Sequence, residues 1–252
     1  MKKVYFIGAG PGDPELITLK GARLLGEADV VIYAGSLVNP AVLQLLQENC
    51  ARYDSAAMTL DEVMAVMLPA AEEGKIVVRL HSGDPSIYGA IREQLNILDK
   101  HQVAYEIVPG VSSFTAAAAS LGREYTLPGV SQTVILTRME GRTPVPAGQE
   151  IGSLAAHGAS MAIFLSVQMI EKVVDALLKG YAKNTPVAVV QRASWPQERI
   201  IQGTLEDITE KIKEEKITRT ALILVGDFLG DEFDLSLLYD GSFSHGCREE
   251  KR

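Results

Sequence analysis

Cysteine is scarce in this 252-residue chain, with Cys50 and Cys247 the only two. Two such thiols form neither a disulfide framework nor a structural metal site, and they point to a reducing cytoplasm. Basic residues are in deficit too, 24 Lys and Arg against 32 Asp and Glu, leaving a formal net charge of −8 and a pI near 5.1. So acidic a chain is not built to wrap nucleic acid or to lie on an anionic membrane, and only a local basic patch would serve an acidic ligand. Long uncharged runs are missing as well. Ala28 to Val38 already contains Asp29, whereas a membrane helix needs about 18 uncharged residues. The opening MKKVYFIG is broken by Gly8 to Asp13 before a signal-peptide core forms, so no export is expected. No internal repeat, low-complexity linker, Walker loop, metal-ligand cluster or nucleophile paired with a histidine base is visible. Such a chain suits transfer of a group already activated on a cofactor.

What is present is an alternation. Short β-branched runs at Val4 to Ile7, Val30 to Tyr33, Ile76 to Leu80, Tyr105 to Val108, Thr133 to Thr137, Met161 to Leu165, Val187 to Val190 and Ala221 to Val225 are separated by amphipathic stretches. This predicts an α/β protein with mainly parallel strands buried on both faces. Asn39-Pro40 reads as a helix cap with proline at the first position, and Thr59 with Glu62 as a capping box for a helix ended by Gly74. Ile87, Ile91, Leu95 and Leu98 share one helical face, and Ser112 to Leu121 is an alanine-rich helix closed by Gly122. Pro109-Gly110 is the expected boundary between a first domain, residues 1–110, and a second, 111–230. Residues 231–252 form an appendage whose Phe233, Leu235, Leu237, Leu238, Tyr239 and Phe243 are expected to pack on something.

The loop GAGPGDPELITLKG, Gly8 to Gly21, follows the first strand, where an α/β sheet binds ligands. It fails as a dinucleotide fingerprint on three details. The third glycine would fall at Asp13, Pro11 lacks an N–H, and the second strand ends Ile32-Tyr33-Ala34 with no acid for a ribose hydroxyl. Asp13 beside a helix N-terminus would also compete with a pyrophosphate. The loop suits a close-packed ligand without phosphate, and it equally suits a structural turn capped by Asp13. HSGDPSIYGAI, His81 to Ile91, repeats the strand-to-helix arrangement on the same sheet edge, with Gly83 and Gly89 for close approach and Asp84-Pro85 as cap and first-turn proline. His81 at a strand end is a candidate for proton handling or a rim histidine. In VPGVSSFTAAAA, Ser112 and Ser113 open the alanine-rich helix, as close packing or as the floor for a flat ligand.

TRMEGRTPVP ends a strand in a proline-bearing loop carrying Arg138, Glu140 and Arg142. Exposed loop charges are usually solvated. Two arginines at a strand end can instead receive carboxylates, because guanidinium pairs with them bidentately. Trp195, the single tryptophan, stands in ASWP and reads as packing rather than stacking.

Taken together, GAGPGDPELITLKG, ADVVIYAGSLV, VVRLHSGDPSIYGAI, VPGVSS, PVAVV and TALILVG, ordered from residue 3 to about 230, resemble the tetrapyrrole methylases. YAGSLV, the TRMEGRTPVP loop, ASWP and the LYDGSFSHG tail are most similar to the branch that methylates carbon 11 of precorrin-4, above all in its cobalt form. The resemblance implies two α/β domains, S-adenosylmethionine held in a cleft between them, a tetrapyrrole substrate and a homodimer. By motif position it places cofactor contacts on Pro11, Ser82, Gly83, Asp84, Ile87, Ser112, Ser113, Leu165 and Ala193. Relatives that methylate uroporphyrinogen carry an aspartate, proposed as proton acceptor, after the second strand's tyrosine, where this chain has Ala34. That argues against the uroporphyrinogen reaction and leaves the base unassigned, with His81, Tyr88 and Glu140 as candidates. Arg138 and Arg142 are expected to meet substrate carboxylates. Methylation of another ring position or of RNA is the rival enzyme reading, and a non-catalytic corrinoid-binding module the rival from another class.

Overall fold

The structure is a computed structural model and describes residues 3–239 and Ser244. The chain divides into two compact units, one made of residues 1–120 with Arg192–Arg199, the other of Leu121–Gln191 and the chain from Ile200 on. The division falls after the alanine-rich helix rather than at Gly110. An eight-residue piece of the later sequence also belongs with the first unit, where the side chains of Ser194, Trp195 and Glu198 bond to it.

In chain order the first unit runs β1 (Val4–Gly8), α1 (Leu19–Gly26), β2 (Val30–Tyr33), β3 (Ala51–Asp54), α2 (Leu60–Glu72), β4 (Val77–His81), α3 (Ile91–Lys100), β5 (Tyr105–Val108) and α4 (Ser113–Leu121). Its sheet has the order β3-β2-β4-β1-β5 and is parallel throughout. Every strand therefore delivers its following loop to the same edge. Both faces are covered, because β-strand residues alternate in direction. Ile7, Val31, Val78 and Leu80 pack with Leu24 and Leu25 of α1, while Phe6, Ile32 and Val77 pack with Met67 of α2 and Leu98 of α3. Thr59 and Glu62 form the full capping box at α2, and Gly74 beyond it takes φ +76°. Asn39-Pro40 opens only a short 3₁₀ turn, Pro40–Leu45.

The second unit runs β6 (Val134–Arg138), α5 (Ile151–Ala155), β7 (Ser160–Phe164), α6 (Ile170–Leu177), β8 (Pro186–Gln191), β9 (Arg199–Thr204), α7 (Ile208–Glu214) and β10 (Ala221–Val225). Its sheet has the order β6-β7-β10-β8-β9, with β6 and β7 parallel and β10 antiparallel to both β7 and β8. Ile170, Val173, Val174 and Leu177 line one stripe of α6 and are buried on Met161, Ile163, Val187 and Val225.

The described part of the appendage is tied to its own chain by polar bonds, while its apolar side chains stay exposed. The Asp234 N–H donates to Pro128 O at 3.0 Å, and Arg123 holds Asp231 at 2.8 Å and Gly230 O at 2.9 Å. Cys247, Phe243 and most of the LYDGSFSHG motif lie outside the described residues. Among the described residues no helix is long and apolar enough to cross a membrane.

Candidate cofactor site

In the first unit the loops after β4, β1 and β5 lie side by side, because those strands are neighbours in that order. They interlock through glycine. The Gly83 N–H donates to Gly10 O at 2.8 Å and the Ala9 N–H to His81 O at 2.7 Å. A Cβ on Gly8 would lie 2.5 Å from Gly83 O and 2.6 Å from the Gly110 Cα, and one on Gly110 would strike Gly83 O. Gly83 plays a different part. Its nearest neighbour to an added Cβ is the Ser112 Cα at 3.7 Å, and what requires glycine there is φ +61°.

The first loop is held at successive residues. Gly10 O is taken by Gly83; Pro11 O accepts from Trp195 Nε1 at 2.9 Å; Gly12 O accepts from Asn39 Nδ2 at 2.8 Å; and the Asp13 N–H donates to Ser194 Oγ at 3.0 Å. Pro11 and Gly12 are buried. This is no phosphate nest, since such a nest needs several free N–H groups pointing at one anion, whereas Pro11 has none and the Asp13 N–H is taken by Ser194. Asp13 caps only the 3₁₀ turn Pro14–Leu16, while Thr18 caps α1, so the helix N-terminus stands away from the loop. That corrects the placement of Asp13 beside the helix N-terminus and bears out its reading as the cap of a turn.

Asp84 also departs from its expected part. The chain turns through Pro85 to Tyr88 and α3 begins only at Ile91, so Asp84 caps a turn. Its Oδ1 accepts from the Ser86 N–H at 2.8 Å and from the Ser86 hydroxyl, and its Oδ2 from the Gly110 N–H at 2.9 Å. Burial pushes this carboxyl up, but the bonds from the Ser86 hydroxyl, Gly110 and the Ser86 amide outweigh it and hold its pKa below the usual aspartate value. Asp84 thus ties the β4 loop to the β5 loop.

All the cofactor positions except Leu165 fall in the first unit. Ser82 and Ile87 are half-buried beside Gly83 and Asp84, and Ser112 is buried at the head of α4, next to the half-buried Ser113. Ala193 is buried between Arg192 at φ +52° and Ser194 at φ +67°. Left-handed backbone in non-glycine residues costs of order 1–3 kcal/mol each and gathers at functional sites. Leu165, in the second unit, follows β7 with φ +54° and 69% exposure. A large apolar side chain held strained and open to solvent fits contact with a ligand rather than packing.

The proton-handling candidates are placed very differently. His81 is 6% exposed on the α2/α3 face of the sheet, its ring stacked on Phe6 at 6.1 Å, with Nε2 unpartnered. Burial and then the neighbouring Arg79 guanidinium push its pKa down to about 3, so it is neutral at pH 7 but far too weak a base to hold a proton taken from the substrate. Arg79 is itself buried, donating to Gln94 Oε1 at 3.2 Å and Ile32 O at 3.1 Å. Burial lowers its pKa to about 10, so it keeps its charge. Tyr88 is exposed with φ +54°. In the second unit Glu140 and Arg142 are exposed on the loop after β6. Arg138 does not present a free fork. Its guanidinium donates to the carbonyls of Met139, Thr143 and Pro144 at 3.3, 3.2 and 2.8 Å, bracing the loop that carries Arg142. The Met139 N–H donates to the buried Ser166 Oγ at 2.7 Å, joining this loop to the one bearing Leu165.

Sequence reasoning missed the supporting residues. Asn39 was legible only as a cap, Trp195 only as packing, and Ser194 and Glu198 not at all. Asp54 also escaped notice; its Oδ1 accepts from the Gly35 and Ala56 amides at 3.0 and 2.9 Å, fixing the turn after β2. Among the described residues no three His, Cys, Asp or Glu side chains gather around a metal position.

Residues 3–209 match the family model for Tetrapyrrole (Corrin/Porphyrin) Methylases. The chain belongs to this family. It is 55% identical to the cobalt-precorrin-4 C(11)-methyltransferase of Methanocaldococcus jannaschii, covering 100% of this chain and 98% of the relative. It is 46% identical to a precorrin-4 C(11)-methyltransferase of a Sinorhizobium species, covering 97% and 98%. Among solved structures it is similar to a cobalt precorrin-4 methyltransferase, described as a cobalamin biosynthetic enzyme, with a TM-score of 0.89 and 46% identity over 91% of this chain and 96% of that one. A uroporphyrin-III C-methyltransferase from Thermus thermophilus, complexed with S-adenosylhomocysteine, matches with a TM-score of 0.76 and 31% identity over 90% and 98%.

Proposed function

We propose that this tetrapyrrole methylase transfers the methyl group of S-adenosylmethionine to carbon 11 of precorrin-4 or its cobalt complex in cobalamin biosynthesis. The observation that carries the cofactor is the first loop, in which Pro11 has no N–H and the Asp13 N–H is already given to Ser194 Oγ, so the run of free N–H groups that a pyrophosphate needs is broken. When bound, S-adenosylmethionine supplies a methyl activated on a sulfonium. The protein then has to hold the reactants in line and exclude water, which needs neither nucleophile nor metal. The three interlocked loops supply a rigid backbone surface for this, with Pro11, Ser82, Gly83, Asp84, Ile87, Ser112, Ser113 and Ala193 as proposed contacts and Leu165 as a further, apolar one. Calorimetry should show micromolar binding of S-adenosylmethionine or its demethylated product and no comparable binding of NAD. Tight NAD binding would overturn the cofactor. Turnover with each tetrapyrrole, followed by product mass and by the ring position labelled, distinguishes cobalt from metal-free substrate and carbon 11 from its neighbours.

The substrate's carboxylates meet Arg142, in this reading, on a loop that Arg138 keeps in shape. Losing one charge-assisted contact costs about 1.5–3 kcal/mol. Arg142→Ala should therefore weaken tetrapyrrole binding at least about tenfold, by fluorescence titration, with S-adenosylhomocysteine affinity unchanged. Equal tetrapyrrole affinity would return Arg142 to a solvated loop. We also propose a cytoplasmic homodimer. Phe233, Leu235, Leu237 and Leu238 are 53%, 84%, 62% and 51% exposed, a row of apolar side chains that a second subunit would cover. Sedimentation at micromolar concentration tests it.

A further inference from the structure

The segment Arg192–Glu198 joins the first unit although it lies between β8 and β9 of the second, and its bonds converge on one target. Trp195 Nε1 donates to Pro11 O, and Ser194 Oγ accepts from the Asp13 N–H. The indole packs so closely on the loop that a Cβ on Gly12 would fall within the ring. The segment is braced from behind. Glu198 Oε2 accepts from the Ser194 N–H at 2.6 Å and from the Ser120 hydroxyl at 2.7 Å, the Trp195 N–H donates to Arg192 O at 2.9 Å, and the Arg192 guanidinium lies 5.6 Å from the indole centroid. On the loop's next carbonyl, Gly12 O, Asn39 does the same work, while its Oδ1 caps the 3₁₀ turn by accepting from Ala41 at 3.0 Å.

We infer that Trp195 and Asn39 are positioning residues for the cofactor: by occupying the Pro11 and Gly12 carbonyls they hold the first glycine loop in its binding shape before the cofactor arrives. The inference rests on the proposed cofactor. A loop fixed in advance does not have to be ordered on binding, so loss of either bond appears as weaker affinity. Neither side chain handles a proton or the transferred methyl. Trp195 is the single tryptophan of the chain, so its emission reports on this loop alone.

The test uses Trp195→Phe, which keeps an aromatic ring but removes the N–H, and Asn39→Asp, which keeps the cap acceptor but turns a donor into a repelling carboxylate. Each should raise the dissociation constant for S-adenosylhomocysteine about tenfold by calorimetry, the loss of roughly one hydrogen bond. The KM for S-adenosylmethionine should rise in parallel, with kcat and the tetrapyrrole KM within about twofold, a split that general loosening of the fold would not give. In the wild type S-adenosylhomocysteine should change the Trp195 emission, and in Asn39→Asp the same change should saturate at higher concentration. If Trp195→Phe fails to fold, Asn39→Asp decides. Affinities within about twofold of wild type would overturn the positioning role while leaving the cofactor standing. A wild type that does not bind S-adenosylhomocysteine would instead overturn the cofactor itself and the loop's role with it.

Discussion

Alanine at Gly8 should abolish measurable binding of S-adenosylhomocysteine and destabilise the fold by about 1–3 kcal/mol, the usual cost of forcing extra atoms into a packed interior. The reason is contact and not conformation. The left-handed glycines of this chain include Gly10, Gly74 and Gly83 but not Gly8, so alanine there meets no backbone strain. Its methyl would lie 2.5 Å from Gly83 O, 2.6 Å from the Gly110 Cα and 2.7 Å from the Gly110 N. All three are backbone atoms of the two flanking loops, and they can yield only by moving apart. Gly83→Ala separates the two effects. It meets nothing nearer than 3.7 Å but must sit at φ +61°, so it should cost about 1–2 kcal/mol with the loop spacing kept. Gly74→Ala, at φ +76° with open space around it and remote from the loops, should cost stability and leave binding untouched. Urea denaturation with calorimetry on the three variants checks the order. A Gly8→Ala protein that binds like wild type would show that the three loops do not form the cofactor surface.

The parts of this architecture that can be read from the sequence are those where local chemistry and tertiary role coincide. β1, β2, β4 and β10 are largely apolar runs buried on both faces, and Thr59 with Glu62 signals a helix start by a bond that closes within four residues. β3 was invisible for the opposite reason. Ala-Arg-Tyr-Asp is an exposed edge strand, and edges carry charge to discourage further pairing, so it lacks the buried-strand pattern. β9, Arg-Ile-Ile-Gln-Gly-Thr, lies on an edge of the second unit's sheet and hides its two isoleucines between polar residues. The glycine loops were legible as loops, because Gly-Pro-Gly-Asp and Ser-Gly-Asp-Pro cannot continue a strand. Their interlocking was not, since it depends on β1 lying between β4 and β5, a property of strand order. The same holds for Trp195 on Pro11, where the partners are 184 residues apart. Arg138 shows the limit from the other side. Its residue type and strand-end position fit a carboxylate receptor, and only the geometry reveals that both of its terminal nitrogens bond to loop carbonyls.

His81 should make the stability of this protein fall steeply as the solution is acidified from neutrality. In the folded chain its imidazole is pushed down to about 3, first by burial and then by the Arg79 guanidinium, whereas in the unfolded chain it titrates near about 6.5. Between those values the unfolded state binds the extra proton, so the stabilising contribution is complete above about 6.5 and is lost as pH falls towards 3. One such group changes the unfolding free energy by about 1.4 kcal/mol per pH unit, so between pH 7 and pH 5 it removes about 2 kcal/mol. His81→Leu replaces the imidazole with an apolar side chain among Phe6 and the sheet face it stacks on, and its curve over that interval should be flatter by this amount. The measurement is urea denaturation of both proteins at each pH. The comparison is between slopes, so any loss of packing in the variant cancels. The same placement bears on catalysis. An imidazole with a pKa of about 3 and its Nε2 buried is too weak and too enclosed a base to take up the substrate's proton, so the pH profile of methyl transfer should show no ionisation that disappears with His81. Parallel stability curves would mean that the imidazole is protonated within the fold, and would bring His81 back among the candidates for handling the substrate's proton.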